Sequence, residues 1–150
     1  MNRSLGYTLL EILVVLVIIA ITASFAFLSI SHYRERTAQA WVNNIIQTIT
    51  LAEEFALLQP ATLRMQFTPH TFYFSEYHGQ WQRLDNDPEL GTHPLPKELK
   101  ITSNTTDIVI SMNGTLTPFE LFIGKQNHAP LYQISGHSDG SITSKRLGDS

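Results

Sequence analysis

Gly6-Tyr7-Thr8-Leu9-Leu10-Glu11, followed by an apolar run from Ile12 to Ile30, is the stretch that decides how this chain is built. Between Arg3 and Arg34 the only charged residue is Glu11. A helix of about 20 apolar residues can cross the hydrocarbon core of a bilayer. A charge at the bilayer centre costs about 2.5–3.5 kcal/mol on insertion scales. We therefore expect something to compensate the carboxylate of Glu11.

The small residues near the N-terminus lie on the wrong side of the apolar run for an ordinary secretory signal. Such a signal places its small-residue cleavage site after the apolar region. Here Ser4-Leu5-Gly6 comes before that region. A cut after Gly6 would leave the apolar helix attached and would make Tyr7 the new N-terminus, four residues before Glu11.

These residues resemble the class III signal of type IV pilins and type II secretion pseudopilins. The resemblance implies that a prepilin peptidase cuts after Gly6, that the amine of Tyr7 is methylated, and that Glu11 guides filament assembly. In that interpretation Glu11 pairs with the charged N-terminus of a neighbouring subunit in a place of low dielectric. The alternative is an ordinary single-pass anchor in which Glu11 reaches the interface by snorkelling.

Composition limits the other function classes. A chain of 150 residues is long enough for an anchor and one folded domain. It has no cysteine, so it has no disulfide framework and no thiolate metal site. After residue 33 the formal charge is −3, and the only dense basic pair is Lys145-Arg146, which is unlike a nucleic-acid binder. Arg3 favours a cytoplasmic N-terminus, which would put the C-terminal part in the periplasm.

The helix predicted from the apolar run continues well beyond it. No Gly or Pro interrupts the chain between Tyr7 and Gln59, and Pro60 ends the helix. After Tyr33 the apolar residues recur at spacings of three and four, which is typical of an amphipathic helix that packs on a sheet. The predicted stripe consists of Ala38, Trp41, Ile45, Ile49, Ala52 and Ala56, and it is widened by Val42, Ile46 and Phe55.

From residue 62 onward the pattern indicates short strands. They are predicted at 63–67, 71–77, 80–84, 99–102, 108–112, 119–123, 132–135 and 141–145, the first three in meander order. The segment from Asp85 to Lys97 is predicted to be a long loop, either a solvated connection or a contact site. Its acidic residues lack the spacing of a calcium-binding EF-hand. Fold class is therefore α+β, with a long N-terminal helix on an antiparallel sheet or sandwich.

The β-rich half resembles the H-type minor pseudopilins of type II secretion. The resemblance rests on Ile108 to Gly114 with Leu116 to Phe119, on Phe72 to Leu84, and on Ser135 to Ser141. It implies a structural subunit near the tip of a pseudopilus that helps to export folded proteins across the outer membrane. The implied partners are the prepilin peptidase, the other minor pseudopilins, the major pseudopilin, the inner-membrane secretion platform and exported protein cargo.

The resemblance also divides the chain. Residues 1–6 would be a cleaved leader, 7–30 a transmembrane and assembly helix in the inner membrane, 31–59 an amphipathic periplasmic helix, and 60–150 a β-rich periplasmic domain. Two rival interpretations stay open: a minor type IV pilin for pilus assembly or DNA uptake, and a membrane-tethered binding module that does not assemble.

No enzyme is predicted. The six histidines are scattered without metal-ligand spacing, and no HExxH, phosphate-binding glycine loop or GxSxG motif occurs. Ser138 and Asp139 beside His137 have the chemistry of a turn. We therefore predict no catalytic residue, no metal and no cofactor.

Overall fold

The computed structural model describes residues 9–148, with the side chains of residues 25–35 excepted. One long helix, α1, spans Leu9–Leu58. The absence of Gly and Pro explains its continuity, and it ends two residues before Pro60, as predicted. The N–H of Gln59 still bonds to the carbonyl of Phe55 at 2.9 Å, so the last helical turn closes before the chain turns away.

The chain forms two compact units that divide after Thr37, within α1. In the second unit, the helix from Ala38 onward lays one face on the β strands. Six of its side chains are fully buried, at alternating spacings of four and three: Ala38, Val42, Ile45, Ile49, Ala52 and Ala56. The predicted stripe is thus confirmed except at one position, because Val42 lies at its centre and Trp41 is only half-buried.

Among the described residues, nine strands form two antiparallel sheets. Their bounds are β1 Leu63–Thr68, β2 Thr71–Tyr77, β3 Trp81–Arg83, β4 Thr92–Pro94, β5 Leu99–Ser103, β6 Asp107–Ile110, β7 Phe119–Lys125, β8 Pro130–Gly136 and β9 Ile142–Arg146. The first sheet has the order β3-β2-β1-β6, with β4 also paired to β2, and the second has the order β5-β7-β8-β9. The predicted meander of the first three strands is confirmed, and so is the α+β class.

Strand register puts the apolar residues on one face of each sheet. In the first sheet Met65 lies between Phe74 and Ile108, and all three are fully buried. In the second sheet Ile101, Ile123 and Tyr132 align in the same way and are also buried. A shift of one residue would turn these side chains toward solvent, so burial fixes the register.

The predicted loop from Asp85 to Lys97 is corrected by the structure, because it contains the strand β4. Residues Thr92–Pro94 pair with Thr71–Tyr73 of β2, beside the stretch of β2 that pairs with β3. A proline is tolerated there because β4 lies at the edge of the sheet. On the outer side of an edge strand, a residue without an N–H breaks no hydrogen bond of the ladder. Leu90 and Leu95 flank β4 and are buried in the core.

Candidate assembly segment

In the first unit, the described residues from Leu9 to Ser24 present a largely apolar surface on every side of the helix. From Leu9 to Ser24 every side chain is exposed, and the residues from Ile12 to Ile21 are all aliphatic. A helix that is apolar all round is normally covered by lipid or by other protein. This segment therefore has the surface that an assembly helix requires.

The two hydroxyl groups in this segment do not interrupt its apolar surface. Thr22 Oγ1 donates to the carbonyl oxygens of Ile18, at 2.9 Å, and Ile19, at 3.0 Å. Ser24 Oγ donates to the carbonyl of Ala20 at 2.8 Å. Hydroxyls that bond to the preceding turn of their own helix need no external partner.

Glu11 is the one charged residue between Leu9 and Ser24. It lies in the first turn of α1 as that helix is described, and its side chain is exposed. Leu10 and Ile12, its neighbours in the chain, are exposed aliphatic residues. The predicted cleavage and methylation residues, Gly6 and Tyr7, lie outside the described residues, so the roles of all three residues stay predictions.

The membrane-spanning helix predicted for residues 7–30 lies only partly within the described part of the chain. Residues 7 and 8, and the side chains of residues 25–30, lie outside it. Over residues 9–24 and 36–148, no helix offers an apolar stretch of the length that a membrane crossing needs.

The segment from Asp85 to Lys97 is held by the domain itself. Asp87 Oδ1 accepts from the backbone N–H groups of Glu89, at 2.9 Å, and Leu90, at 2.7 Å. Asp85 Oδ1 accepts from Thr92 Oγ1 at 2.8 Å and lies 3.0 Å from Arg83 Nη2. Their carboxylates therefore bind backbone and strand residues of the same domain. Within the described part of the chain, no group of three His, Cys, Asp or Glu is placed to hold a metal ion.

His137, Ser138 and Asp139 lie in the turn between β8 and β9. Asp139 Oδ1 accepts from Ser141 N at 3.0 Å and from Ser141 Oγ at 2.7 Å. These two hydrogen bonds lower the pKa of the Asp139 carboxyl, with a smaller contribution from His137. The turn interpretation of Ser138 and Asp139 is thus confirmed.

The basic pair in β9 is divided by the pleat of the strand. Lys145 aligns with Gln133, and Arg146 aligns with the buried Tyr132. Because successive side chains of a strand point to opposite faces, the two charges do not join into one basic stripe.

Known proteins resemble this chain in its N-terminal motif and along most of its length. Residues 1–27 match the family model for the prokaryotic N-terminal methylation motif. The type II secretion system protein H of Escherichia coli K12 is 31% identical, with 82% of each chain covered. The type II secretion system protein H of Aeromonas hydrophila is 22% identical, with 87% of this chain and 86% of that protein covered.

Solved structures share the fold. The crystal structure of the minor pseudopilin EpsH from the type II secretion system of Vibrio cholerae has a TM-score of 0.66 at 17% identity, covering 76% of this chain and 96% of that one. The solution structure of E. coli GspH has a TM-score of 0.59 at 19% identity, covering 75% of this chain and 93% of that one.

The curated relatives decide between the interpretations that the sequence left open. Both are type II secretion proteins, which favours a pseudopilin over a type IV pilin. The N-terminal motif and the relatives together imply membrane anchoring through the N-terminal region, processing by a prepilin peptidase, and assembly with other pseudopilins. With 31% identity over most of both chains, this chain belongs to the type II secretion system protein H family, and it is a minor pseudopilin, a structural subunit and not an enzyme.

Proposed function

We propose that this minor pseudopilin is made as a precursor whose leader, residues 1–6, stays in the cytoplasm. Cleavage after Gly6 exposes Tyr7, which is methylated, and the chain then spans the inner membrane once with its β domain in the periplasm. The observation that carries the proposal is the match of residues 1–27 to the methylation motif, in a chain that is 31% identical to a protein H over 82% of its length.

Glu11 then supplies the specific contact of assembly. Its carboxylate pairs with the charged amine of Tyr7 on an adjacent subunit as the helices pack side by side. A secondary amine made by methylation keeps its positive charge, so the pair survives the modification. Two opposite charges about 4 Å apart attract by roughly 4 kcal/mol at an effective dielectric of 20, and a lipid-covered site screens them less than water does.

The exposed aliphatic surface of residues 9–24 supports this mechanism. Apolar contact alone gives little selectivity between helices in lipid, because lipid tails are as apolar as leucine. A charge pair at one defined level would fix the stagger of neighbouring helices. Glu11 therefore acts as a positioning residue for the filament.

The assembled subunit works in a short filament that pushes folded proteins through the outer-membrane channel. We place this subunit near the tip, in contact with the other minor pseudopilins, the major pseudopilin and the inner-membrane platform, with exported cargo as a further partner. The support for this position is the resemblance to H-type minor pseudopilins.

The test compares Glu11→Ala with Gln47→Ala in the full-length chain. Gln47 is an exposed residue of the same helix in the second unit. We expect Glu11→Ala to reduce both cross-links to other pseudopilins and protein export at least about tenfold, which is the effect of losing about 1.4 kcal/mol. Gln47→Ala should leave both unchanged. Normal cross-links and export in Glu11→Ala would refute the assembly role.

A further inference from the structure

The exposed large apolar side chains of the second unit are concentrated at one end. Among its described residues, four such side chains are at least half exposed: Leu57 at 54%, Leu58 at 82%, Met112 at 56% and Tyr77 at 50%. Leu57 and Leu58 end α1, Tyr77 ends β2, and Met112 lies in the turn between β6 and β7. Single exposed apolar residues are ordinary, whereas a group at one end of a domain marks a contact surface.

The segments that carry these residues converge. A Cβ placed on Gly114, two residues after Met112, would lie 3.3 Å from Leu57 Cδ2. The N–H of Tyr77 donates to the carbonyl of Thr62 at 3.0 Å, just where the chain leaves α1 for β1. The end of the helix, the end of β2 and the β6–β7 turn therefore meet at the same end of the domain.

Carboxylates lie beside this group. Glu53 and Glu54 are in the last turns of α1, and Glu53 Oε1 lies 3.1 Å from the position of a Cβ on Gly140. The turn of Gly140 also holds Asp139, which accepts two hydrogen bonds from Ser141 that favour its charged form. The neighbouring arginine, Arg64, stacks over Trp81 and lies 3.9 Å from Asp107, so its charge is engaged elsewhere.

Burial raises the pKa of Glu53, which means that its charged form is disfavoured in the folded domain. A glutamine at this position would avoid that cost. A carboxylate that stays at an energetic disadvantage next to exposed leucines is consistent with a role in contacting a basic partner.

We propose that this end of the domain docks an apolar surface bearing lysine or arginine on a different pseudopilin of the same filament. We call it the acidic apolar surface, and it consists of Leu57, Leu58, Tyr77 and Met112 with Glu53, Glu54 and Asp139 beside them. The inference rests on the proposed function, because it names the kind of neighbour that the subunit contacts in the filament.

Charge selects this occupant over the alternatives. A second copy related by a two-fold axis would place the carboxylates against each other, and like charges across an interface disfavour the contact. The negative surface of an anionic membrane would repel the same carboxylates. A basic patch on another subunit meets both the apolar and the charged parts of the surface.

The test places a photo-cross-linking amino acid at Leu58 or Met112 of the full-length chain in cells with a working secretion system. The control position is Gln126, exposed in the turn at the other end of β7. We expect Leu58 and Met112 to give adducts with another pseudopilin, identified by mass spectrometry, and Gln126 to give at most about a tenth of that yield.

A second experiment tests the charge of the partner by combining Glu54→Lys or Glu54→Gln with the cross-linker at Met112. We expect the reversal to lower the adduct yield about tenfold and the neutral change to lower it less. An adduct yield unaffected by Glu54→Lys would overturn the assignment of a basic partner. Adducts only with a second copy, with lipid or with exported protein would overturn the choice of occupant.

A cross-linker at Val17, in the exposed aliphatic segment, separates this inference from the proposed function. Subunit adducts from Val17 with none from Leu58 or Met112 would overturn the acidic apolar surface alone. The absence of subunit adducts from all three positions would overturn the proposed function as well.

Discussion

Replacing Gly136 with alanine tests how tightly the second sheet is packed. A Cβ on Gly136 would lie 2.1 Å from Phe119 Cε1 and 2.6 Å from two further atoms of the same ring. Phe119 is only 2% exposed, and it is the residue of β7 that pairs with Gly136 of β8. The ring therefore has little room to move away from a new methyl group. Extra atoms in a packed core cost about 1–3 kcal/mol. We expect the upper end of that range.

Urea unfolding of the full-length chain in detergent micelles, followed by tryptophan fluorescence, measures this effect. A loss of about 3 kcal/mol corresponds to a fall in Tm of roughly 10 °C for a chain of this size. Gly148→Ala is the matched control, because nothing lies within 4 Å of a Cβ there. It should stay within about 0.5 kcal/mol of the parent.

A second substitution tests whether the contact with Phe119 is the cause. Phe119→Leu removes part of the ring, so the double variant Gly136→Ala/Phe119→Leu should be more stable than the sum of the two single effects predicts. We expect a coupling of about 0.5–3 kcal/mol, the range for residues in contact. A loss below about 0.5 kcal/mol in Gly136→Ala, or no coupling, would refute the packing argument.

Three further predictions concern the second unit. Ile45→Ala should lower the free energy of unfolding by about 2–5 kcal/mol in the same urea experiment, since Ile45 lies on the packed face of α1 and is fully buried in the core. Asp139→Asn should lower Tm at neutral pH and have little effect in acid, because the folded-state pKa of Asp139 is lowered. The carboxylate's contribution to stability is complete above the unfolded-state pKa of about 3.9. It is lost as the pH falls through the folded-state pKa. Glu53→Gln should raise Tm at neutral pH and less so in acid, because a raised folded-state pKa makes the charged form destabilising. Thermal unfolding measured from neutral to acidic pH checks both carboxylates, and a pH-independent difference from the parent in either variant would contradict its assignment.

The sequence was most informative where a pattern repeats. The helix from the apolar run to Leu58 could be predicted because no breaker interrupts it, and its buried stripe could be predicted because six residues recur at helical spacing. The pattern puts Trp41 in the stripe in place of Val42, whereas the structure leaves Trp41 only partly buried at the edge of that helix face. Most strands could be predicted from alternation and turn residues.

Very short strands, and contacts between residues far apart in the sequence, could not be predicted in this way. The three residues of β4 are too few for a period, and Pro94 argues against a strand unless the strand is known to lie at an edge. Leu90 and Leu95 were the available signal that this segment packs on the core. Neither the strand order nor the approach of Phe119 to Gly136 is visible in the sequence, because each joins residues that lie far apart along the chain.

The assembly segment could be predicted as a motif and only partly placed. Glu11 lies on α1 as expected, with exposed aliphatic residues around it. Gly6 and Tyr7 lie outside the described residues, so their roles rest on the resemblance and on the match of residues 1–27. The acidic apolar surface was not predicted, because it joins the end of a helix to turns that the fold brings together.

The most direct measurement of the central claim is the intact mass and N-terminal sequence of the protein extracted from cells that contain a prepilin peptidase, compared with cells that lack it. We predict a chain that begins at Tyr7 with a methylated amine in the first case and a chain that begins at Met1 in the second. A chain that begins at Met1 in both would leave no amine beside Glu11 and would contradict the proposed assembly mechanism.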